Sequence, residues 1–147
     1  MSKQTIKKSV EINAPKEKIW DVLLQDESYR KWTSAFHEGS YAEGDFSEGS
    51  MVRFLSPEGD GLVSKVVKHQ PNDTISFEHL GFIQKGKEDF DSAEVQDWKG
   101  FLETYKVTEN GGKTKLDISC DILDSQYENF DRMWTKAVQN VKELAEN

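Results

Sequence analysis

The chain has 147 residues, of which 35% are hydrophobic, 11% aromatic and 31% charged, and its formal net charge is -8. This length is enough for one domain with a sizeable core, and the aromatic content argues against a disordered chain. The negative charge repels phosphate backbones and anionic membranes, so we expect neither nucleic acid nor a membrane among the partners.

Cysteine usage and the start of the chain bear on the cellular compartment. Cys120 is the single cysteine, which excludes an internal disulfide and is typical of a reducing compartment. The chain begins with polar residues and no apolar signal segment, and no apolar run approaches the roughly 20 residues that span a bilayer. We therefore expect a cytoplasmic protein in which residues 1–147 form a single domain.

A strand followed by two short helices is predicted at the start of the chain. Apolar residues alternate with polar ones over residues 6–12, with Lys8 as an exception on the apolar side. Pro15 then breaks the strand, and proline favours the first turn of a helix. Apolar residues predict one short helix over residues 19–24, and a second follows almost at once over residues 26–32.

Five strands are predicted in the middle of the chain, bounded by turns rich in glycine, proline and asparagine. Residues 33–50 are predicted to form a loop that could contain a short strand, and the acidic residues 83–97 an extended loop. Asn110-Gly111-Gly112 is a strong hairpin signal before the last strand, in which apolar and polar residues alternate almost perfectly. The predicted strands cover residues 51–55, 62–69, 74–82, 98–108 and 113–123.

The chain ends in a long amphipathic helix, predicted over residues 125–146. Apolar residues from Tyr127 to Ala145 recur at the i, i+3, i+4, i+7 spacing of one helical face. Ser125 and Glu128 match the S-x-x-E pattern of a capping box at the start of a helix. A helix with one broad apolar face needs a surface to lie on, and the predicted sheet provides it.

This order of elements predicts an α+β fold, in which an antiparallel sheet carries its helices on one side. A strongly bent sheet can wrap around the long helix and leave a hollow for an apolar ligand. Local stretches carry a further signal: residues 12–23 (Ile-Asn-Ala-Pro-Lys-Glu-Lys-Ile-Trp-Asp-Val-Leu), Lys31-Trp32, Gly61-Leu62-Val63 and residues 114–118 (Thr-Lys-Leu-Asp-Ile). In these stretches the chain resembles the START-like or Bet v 1-like (SRPBCC) superfamily, and within it the Hsp90-ATPase-activator-like or polyketide-cyclase-like branch.

The resemblance implies a helix-grip fold, in which a curved antiparallel sheet wraps around a long C-terminal helix and two short helices follow the first strand. It also implies a cavity between sheet and helix that binds a small hydrophobic or amphipathic ligand. Two alternatives follow from the same resemblance, because one fold hosts many functions. They are a protein-interaction module for an Hsp90-family chaperone and a cyclase- or hydrolase-type enzyme. No cofactor is implied.

The sequence carries no strong catalytic or metal-binding motif. It contains no G-x-S-x-G, P-loop, G-x-G-x-x-G or H-E-x-x-H pattern, and its histidines and cysteine lack zinc-ligand spacing. The acidic segment 83–97 lacks the spacing of a calcium-binding EF-hand loop, so we interpret it as a solvated surface. Cys120 lies on the apolar face of its strand and is interpreted as a small core residue. We expect no metal site and no catalytic residue, and rank enzyme activity behind ligand binding.

Two polar residues fall on strand faces that are otherwise apolar. His79 follows Phe77 at an alternating position of one predicted strand. Glu103 lies between Phe101 and Tyr105 in the same way on another. If both faces point at the C-terminal helix, the two polar side chains meet inside the cavity, where they could orient a ligand or exchange a proton. Alternatively, they lie at a wet strand end or satisfy each other, and a register slip of one residue would turn His79 outward.

The candidate ligand-binding residues combine this polar pair with aromatic side chains and one arginine. Arg53 could anchor a ligand carboxylate, or it could lie on the outer face of its strand and pair with an acid. Trp32, Phe130 and Trp134 could line the same hollow, but aromatic residues at helical spacing are more often plain core, which is the first interpretation. The candidate set is Trp32, Arg53, Phe77, His79, Phe101, Glu103, Tyr105, Phe130 and Trp134.

Overall fold

Residues 2–147, which the computed structural model describes, form eight β-strands and four α-helices. The strands are β1 (Lys3–Ile12), β2 (Tyr41–Glu43), β3 (Met51–Leu55), β4 (Gly61–Gln70), β5 (Thr74–Gln84), β6 (Lys87–Asp89), β7 (Leu102–Asn110) and β8 (Lys113–Leu123). The helices are α1 (Lys16–Leu24), α2 (Asp26–Trp32), α3 (Ala93–Gln96) and α4 (Tyr127–Glu146).

The strands form a curved antiparallel sheet in the order β1-β8-β7-β5-β4-β3-β2, with β6 paired to the end of β5. Helix α4 packs against β1, α1 and α2. The predicted α+β helix-grip architecture is therefore confirmed, including the two short helices that follow the first strand. None of the helices within residues 2–147 has both the length and the apolar character needed to span a bilayer.

The pairing of β1 with β8 shows why alternation predicted these two strands. Ile6 lies opposite Cys120 and Val10 opposite Leu116, so the apolar side chains of both strands share the inner face. Lys8, the exception on that face, places its Nζ 2.8 Å from Asp131 Oδ1 on α4. The charge is tolerated there because it is paired and remains partly in contact with water.

Helix α4 has two different halves. Its second half buries Ala137, Val141 and Ala145, each of which is at most 1% exposed. Such small side chains allow the helix to pack closely. Its first half carries Phe130 and Trp134, which line a hollow between helix and sheet. The single apolar face predicted from the sequence therefore serves two purposes, a tight core at one end and a cavity wall at the other.

The capping box predicted at Ser125 and Glu128 is wrong. Residues Asp124–Gln126 form a turn of 3-10 helix, and α4 begins after them at Tyr127. The residue at the N-cap position is Gln126, whose backbone is helical and whose side chain makes no capping hydrogen bond. A capping box needs an extended N-cap residue, and the preceding turn removes that conformation.

The acidic segment predicted as an extended loop contains a small hairpin and a short helix. Gln84 pairs with Lys87 across a two-residue turn in which Lys85 and Gly86 both have positive φ, at 50° and 81°. The turn conformation is the one favoured by Asn-Gly and Asp-Gly, and lysine at its first position hides the signal. Helix α3 follows, with the Ser92 side chain accepting a hydrogen bond from the N–H of its third residue.

Two further boundaries differ from the predicted ones. The strand predicted from residue 98 begins at Leu102, because residues 98–101 complete the turn that leads out of α3. The loop over residues 33–50 does contain a short strand, β2, which pairs with β3. The hairpin between β7 and β8 is as predicted, with Gly111 and Gly112 at φ of 64° and 84°.

Candidate functional site

A cavity of about 520 Å³ lies between the inner face of the sheet and the first half of α4. Residues from α2, β3, β5, β7, β8 and α4 all contribute to its wall. Eleven of the 27 lining residues are aromatic. The rings belong to Tyr29, Trp32, Phe36, Tyr41, Phe54, Phe82, Trp98, Phe101, Tyr105, Phe130 and Trp134.

The rings of α2 and α4 meet above the sheet and close one side of the cavity. The ring centroids of Trp32 and Trp134 are 6.0 Å apart, and Phe36 meets Trp134 edge-on at 4.8 Å. Tyr105, on β7, approaches both tryptophans at 6.0 and 6.1 Å. Edge-to-face contacts at these distances stabilise aromatic clusters beyond simple burial, so the wall is held by mutual packing.

Glu103 supplies the polar end of the cavity. Its Oε1 lies 3.2 Å from Nε2 of His79, and its Oε2 accepts a hydrogen bond from the Tyr105 hydroxyl. The Cys120 thiol lies 3.9 Å from the same Oε1. The Glu103 side chain keeps 16% of its exposure, whereas the His79 side chain keeps 7%. The carboxylate is thus enclosed but still faces the hollow.

Contacts at both ring nitrogens fix the orientation of His79. Its Nδ1 lies 2.6 Å from the Ser64 hydroxyl oxygen, and its Nε2 faces Glu103. A neutral ring with its proton on Nε2 satisfies both contacts, because Ser64 can then donate to Nδ1 while Nε2 donates to the carboxylate. Ser64 is completely buried, so it positions the imidazole and is out of reach of a molecule in the cavity.

Two groups beside Glu103 hold their protons. Burial, and after it the negative charge of Glu103, raises the pKa of Tyr105 well above its usual value, so the phenol remains a hydrogen-bond donor. The same two causes raise the pKa of the Cys120 thiol, which keeps it protonated and unreactive. Cys120 is a buried residue as predicted, and it also forms part of the cavity wall.

The structure brings most of the candidate residues together. Trp32, Phe101, Tyr105, Phe130 and Trp134 all line the cavity. His79 and Glu103 meet there, as the alternation of β5 and β7 suggested, because Phe77 lies opposite Glu103 in the strand register. Whether these residues contact a ligand stays a prediction.

Two candidate residues lie elsewhere. Phe77 is 1% exposed and packs in the core against Phe54 and Tyr105, beneath the cavity wall. Arg53 lies outside the cavity and binds Glu88 with an Nε to Oε2 distance of 2.7 Å, so the structure shows the outward, acid-paired alternative. Alternation explains the result, because Val52 and Phe54 occupy the inner face of β3 and Arg53 between them must point away.

Several lining residues are not among the predicted ones. Phe36 lies in the turn after α2 and Trp98 in the turn after α3, where no periodicity marks them. Tyr29 shares a helical face with Trp32, and Phe54 alternates with Val52, so helical and strand spacing carried a signal for both. Aromatic residues in loops can be assigned to the cavity wall only from the three-dimensional structure.

The acidic segment has structural partners of its own. Glu88 pairs with Arg53, and Asp89 accepts hydrogen bonds from the backbone N–H groups of Asp91 and Ser92, each at 3.0 Å. Within residues 2–147, no three His, Cys, Asp or Glu side chains are arranged to hold a metal ion.

Solved structures share this fold at low sequence identity. The Aha1 dimer from Colwellia psychrerythraea matches with a TM-score of 0.73 and 20% identity, over 97% of this chain and 96% of that one. MLL2253 from Mesorhizobium loti matches with a TM-score of 0.72 and 18% identity, over 96% of both chains. DynU16, from the dynemicin biosynthetic locus, matches over 95% of this chain with a TM-score of 0.70 and 15% identity. The match covers 46% of the DynU16 chain, so this chain spans about half the length of that protein.

A search of curated proteins returns no match to the sequence. A family model described as "Polyketide cyclase / dehydrase and lipid transport" matches residues 3–145. The matched range covers nearly the whole chain, from the start of β1 to the last turn of α4. The chain therefore belongs to the polyketide cyclase / dehydrase and lipid transport family.

Proposed function

We propose that the protein binds a small hydrophobic or amphipathic molecule in the cavity between α4 and the sheet. The observation that carries the proposal is the cavity of about 520 Å³, which has an aromatic wall and a carboxylate at its polar end. Small-molecule sites are usually hollows of roughly 300–1,000 Å³ with apolar walls and a few convergent polar groups. The family description, which includes lipid transport, supports the same class of ligand.

The wall and the polar end have separate roles in this proposal. Aromatic rings favour an apolar ligand body, since each Å² of apolar surface removed from water contributes about 25 cal/mol. Glu103 orients the ligand, because an ionised carboxylate has about four acceptor positions. Tyr105 and His79 occupy two of them, and Cys120 makes a long contact with one oxygen. An acceptor position therefore remains for a donor group on the ligand.

Nile red, a neutral lipophilic dye, tests the proposal without assuming a charged head group. We expect saturable one-to-one binding, measured as an increase in dye fluorescence. Ile122 lines the cavity, so Ile122→Trp should fill part of it and weaken binding by about tenfold or more.

Val67→Trp is the matched control, because Val67 is 40% exposed on β4 and lies outside the cavity. This variant should bind Nile red like the unmodified chain. Urea unfolding of both variants establishes that they are folded. Absence of saturable binding, or equal binding by a folded Ile122→Trp, would contradict the proposal.

The geometry of Glu103 favours a second candidate function, abstraction of a proton next to a ligand carbonyl group. Both nitrogens of His79 already contact protein atoms, which leaves none for a substrate. Glu103 faces the cavity, and its carboxylate can accept a proton while Tyr105 and His79 hold it in place. The cyclase and dehydrase part of the family description is consistent with such chemistry.

Hydrogen–deuterium exchange of benzylacetone in heavy water tests this candidate. A hydrogen next to the carbonyl passes to Glu103 as a proton, and the carboxyl group, after exchange with solvent, returns a deuteron to carbon. We expect NMR to show exchange above background, with Glu103→Gln returning it to background. Glu109→Gln, at an exposed position of the same strand, should retain it. Equal exchange in the chain and in Glu103→Gln would exclude Glu103 as the base.

Binding of an Hsp90-family chaperone stays a prediction. The likeness to the Aha1 dimer is one of fold at 20% identity, and the net charge of -8 suits a basic partner surface. Incubation with a purified Hsp90-family chaperone at low salt tests it. A complex with stimulated ATPase activity would support this role, and the absence of both would contradict it.

A further inference from the structure

We propose that the cavity selects ligands that carry a positive charge, such as a protonated amine attached to an apolar body. The inference rests on the proposed function, because it names the chemical class of the ligand that the same cavity would hold. The evidence for it is the set of charged side chains that line the cavity.

The charged side chains that line the cavity are acidic, apart from two histidines. In the part of the chain that the structure describes, residues 2–147, no lysine and no arginine lines it. Arg30 stacks on the lining residue Tyr41, but both carboxylate oxygens of Asp26 hold its guanidinium, each at 3.0 Å. The ionisable lining groups, apart from tyrosine and cysteine, are Asp60, Glu94, Glu103, Asp121, His37 and His79.

Most of these groups already have partners at the rim. His37 lies 3.0 Å from Glu58, and Asp60 accepts a hydrogen bond from the Lys85 backbone N–H at 2.9 Å. Asp121 accepts from the Leu102 backbone N–H at 3.0 Å. The Asp121 side chain, which is 14% exposed, also has Lys3 Nζ 3.8 Å away. Glu103 is enclosed to a similar degree, at 16%, but among residues 2–147 it has no lysine or arginine within 4.0 Å.

The carboxylate of Glu103 lacks a lysine or arginine partner. Among residues 2–147, His79 is the only basic side chain within 4.0 Å of it, and a neutral His79 meets both of its own contacts. Tyr105 supplies a hydrogen bond but no positive charge. An enclosed carboxylate is costly unless positive charge lies beside it, and no lysine or arginine supplies that charge here. A ligand ammonium group beside Glu103 would offset that cost.

The surrounding rings favour the same charge. Tyr105 contacts Glu103 directly, and the rings of Trp32 and Trp134 lie 6.0 and 6.1 Å from the Tyr105 ring. A cation bound by Glu103 would enter a cavity lined by these rings, and aromatic faces attract positive charge within about 6 Å. A ligand carboxylate would meet the like charge of Glu103 instead, which disfavours fatty acids.

A matched set of ligands tests the proposal. Phenylbutylamine, phenylbutanol and phenylbutyrate share an apolar body and differ mainly in the charge of the polar end. At pH 7 we expect isothermal titration calorimetry to show the amine binding about tenfold or more tighter than the alcohol. Both can donate a hydrogen bond to Glu103, but only the ammonium group adds the attraction of opposite charges. The carboxylate should bind more weakly than either.

A substitution at Glu103 separates charge from shape. Glu103→Gln keeps the size of the side chain and an acceptor oxygen but removes the negative charge. The amine should then bind within about threefold of the alcohol, and the affinity of the alcohol should change little. Glu109→Gln makes the same charge change at an exposed position of β7 and should keep the preference for the amine.

The outcomes distinguish this inference from the proposed function. Equal affinity for amine and alcohol would overturn the selection of cations while leaving ligand binding intact. Survival of the amine preference in Glu103→Gln would overturn the role of Glu103 in the same way. Failure of all three compounds, together with failure of Nile red, would overturn both.

Discussion

At the scale of single residues, the polar end of the cavity is a chain of contacts from Ser64 through His79 and Glu103 to Tyr105. These residues belong to three neighbouring strands, β4, β5 and β7. The register of the sheet therefore sets the position of the carboxylate, and no flexible loop is involved. Rigid placement of this kind is what a site needs to orient a ligand.

Removal of the Tyr105 hydroxyl tests the energetic importance of this chain. Tyr105→Phe keeps the ring in the aromatic wall but leaves Glu103 with one hydrogen-bond donor fewer. Loss of one partner of a buried polar group costs about 1–3 kcal/mol, so the free energy of unfolding at pH 7 should fall by that amount. Urea unfolding measures it, and an unchanged free energy would show that water replaces the phenol at no cost.

Alkaline pH should destabilise the protein through its buried tyrosines. Burial, and after it the charge of Glu103, raises the pKa of both Tyr29 and Tyr105 in the folded state. Each phenol in the unfolded chain ionises near pH 10, so the stability it contributes is complete below about pH 10 and is lost as pH rises towards the folded pKa. Tyr105→Phe should therefore lose stability less steeply above pH 10. Parallel pH profiles for the two proteins would contradict the assignment.

At the scale of elements, helix α4 divides into a packed half and a cavity half. Ala137 is completely buried in the packed half, whereas Phe130 is half-buried beside the hollow and stacks on Phe36. Ala137→Leu should overpack the core and cost about 1–3 kcal/mol, while Phe130→Leu should cost less than about 1.5 kcal/mol. Urea unfolding compares the two variants. Equal costs would mean that the two halves are packed alike.

The elements of this fold were largely predictable, and their ends were not. Periodicity predicts α4 and the alternating strands because one face of each is buried along its whole length. The start of β7 and the cap of α4 depend on short turns, around Trp98 and Asp124, whose conformation is set by tertiary neighbours. Helix α3, with only four residues, is too short to show a period.

The same reasoning explains which site residues could be predicted. Alternation along β5 and β7 places His79 and Glu103 inward, and helical spacing finds Trp134. Alternation alone cannot separate core from cavity wall, so the candidate set includes Phe77, which is core. Alternation also left the face of Arg53 open, and the pair with Glu88 decides it. Aromatic residues in turns, such as Phe36, carry no pattern at all.

At the scale of the whole molecule, binding and stability should be linked. A ligand that binds the folded chain and not the unfolded one adds about 2.7 kcal/mol of stability at a free concentration 100 times its Kd. Phenylbutanol, which is neutral, should produce this increase if the cavity binds ligands. Thermal unfolding at increasing phenylbutanol concentration measures the effect, and Ile122→Trp should show a smaller one. A Tm that does not depend on phenylbutanol concentration would contradict the linkage.

The most direct test of ligand binding in the cavity uses the indole N–H signals of the tryptophans. Trp32, Trp98 and Trp134 line the cavity, whereas Trp20 lies outside it and donates to His69 Nε2 at 3.3 Å. We predict that titration with phenylbutanol, followed by two-dimensional NMR of the 15N-labelled chain, shifts the three cavity indole signals along one saturation curve and leaves that of Trp20 in place. Shifts confined to Trp20, or no saturable shift of any indole signal, would contradict the account.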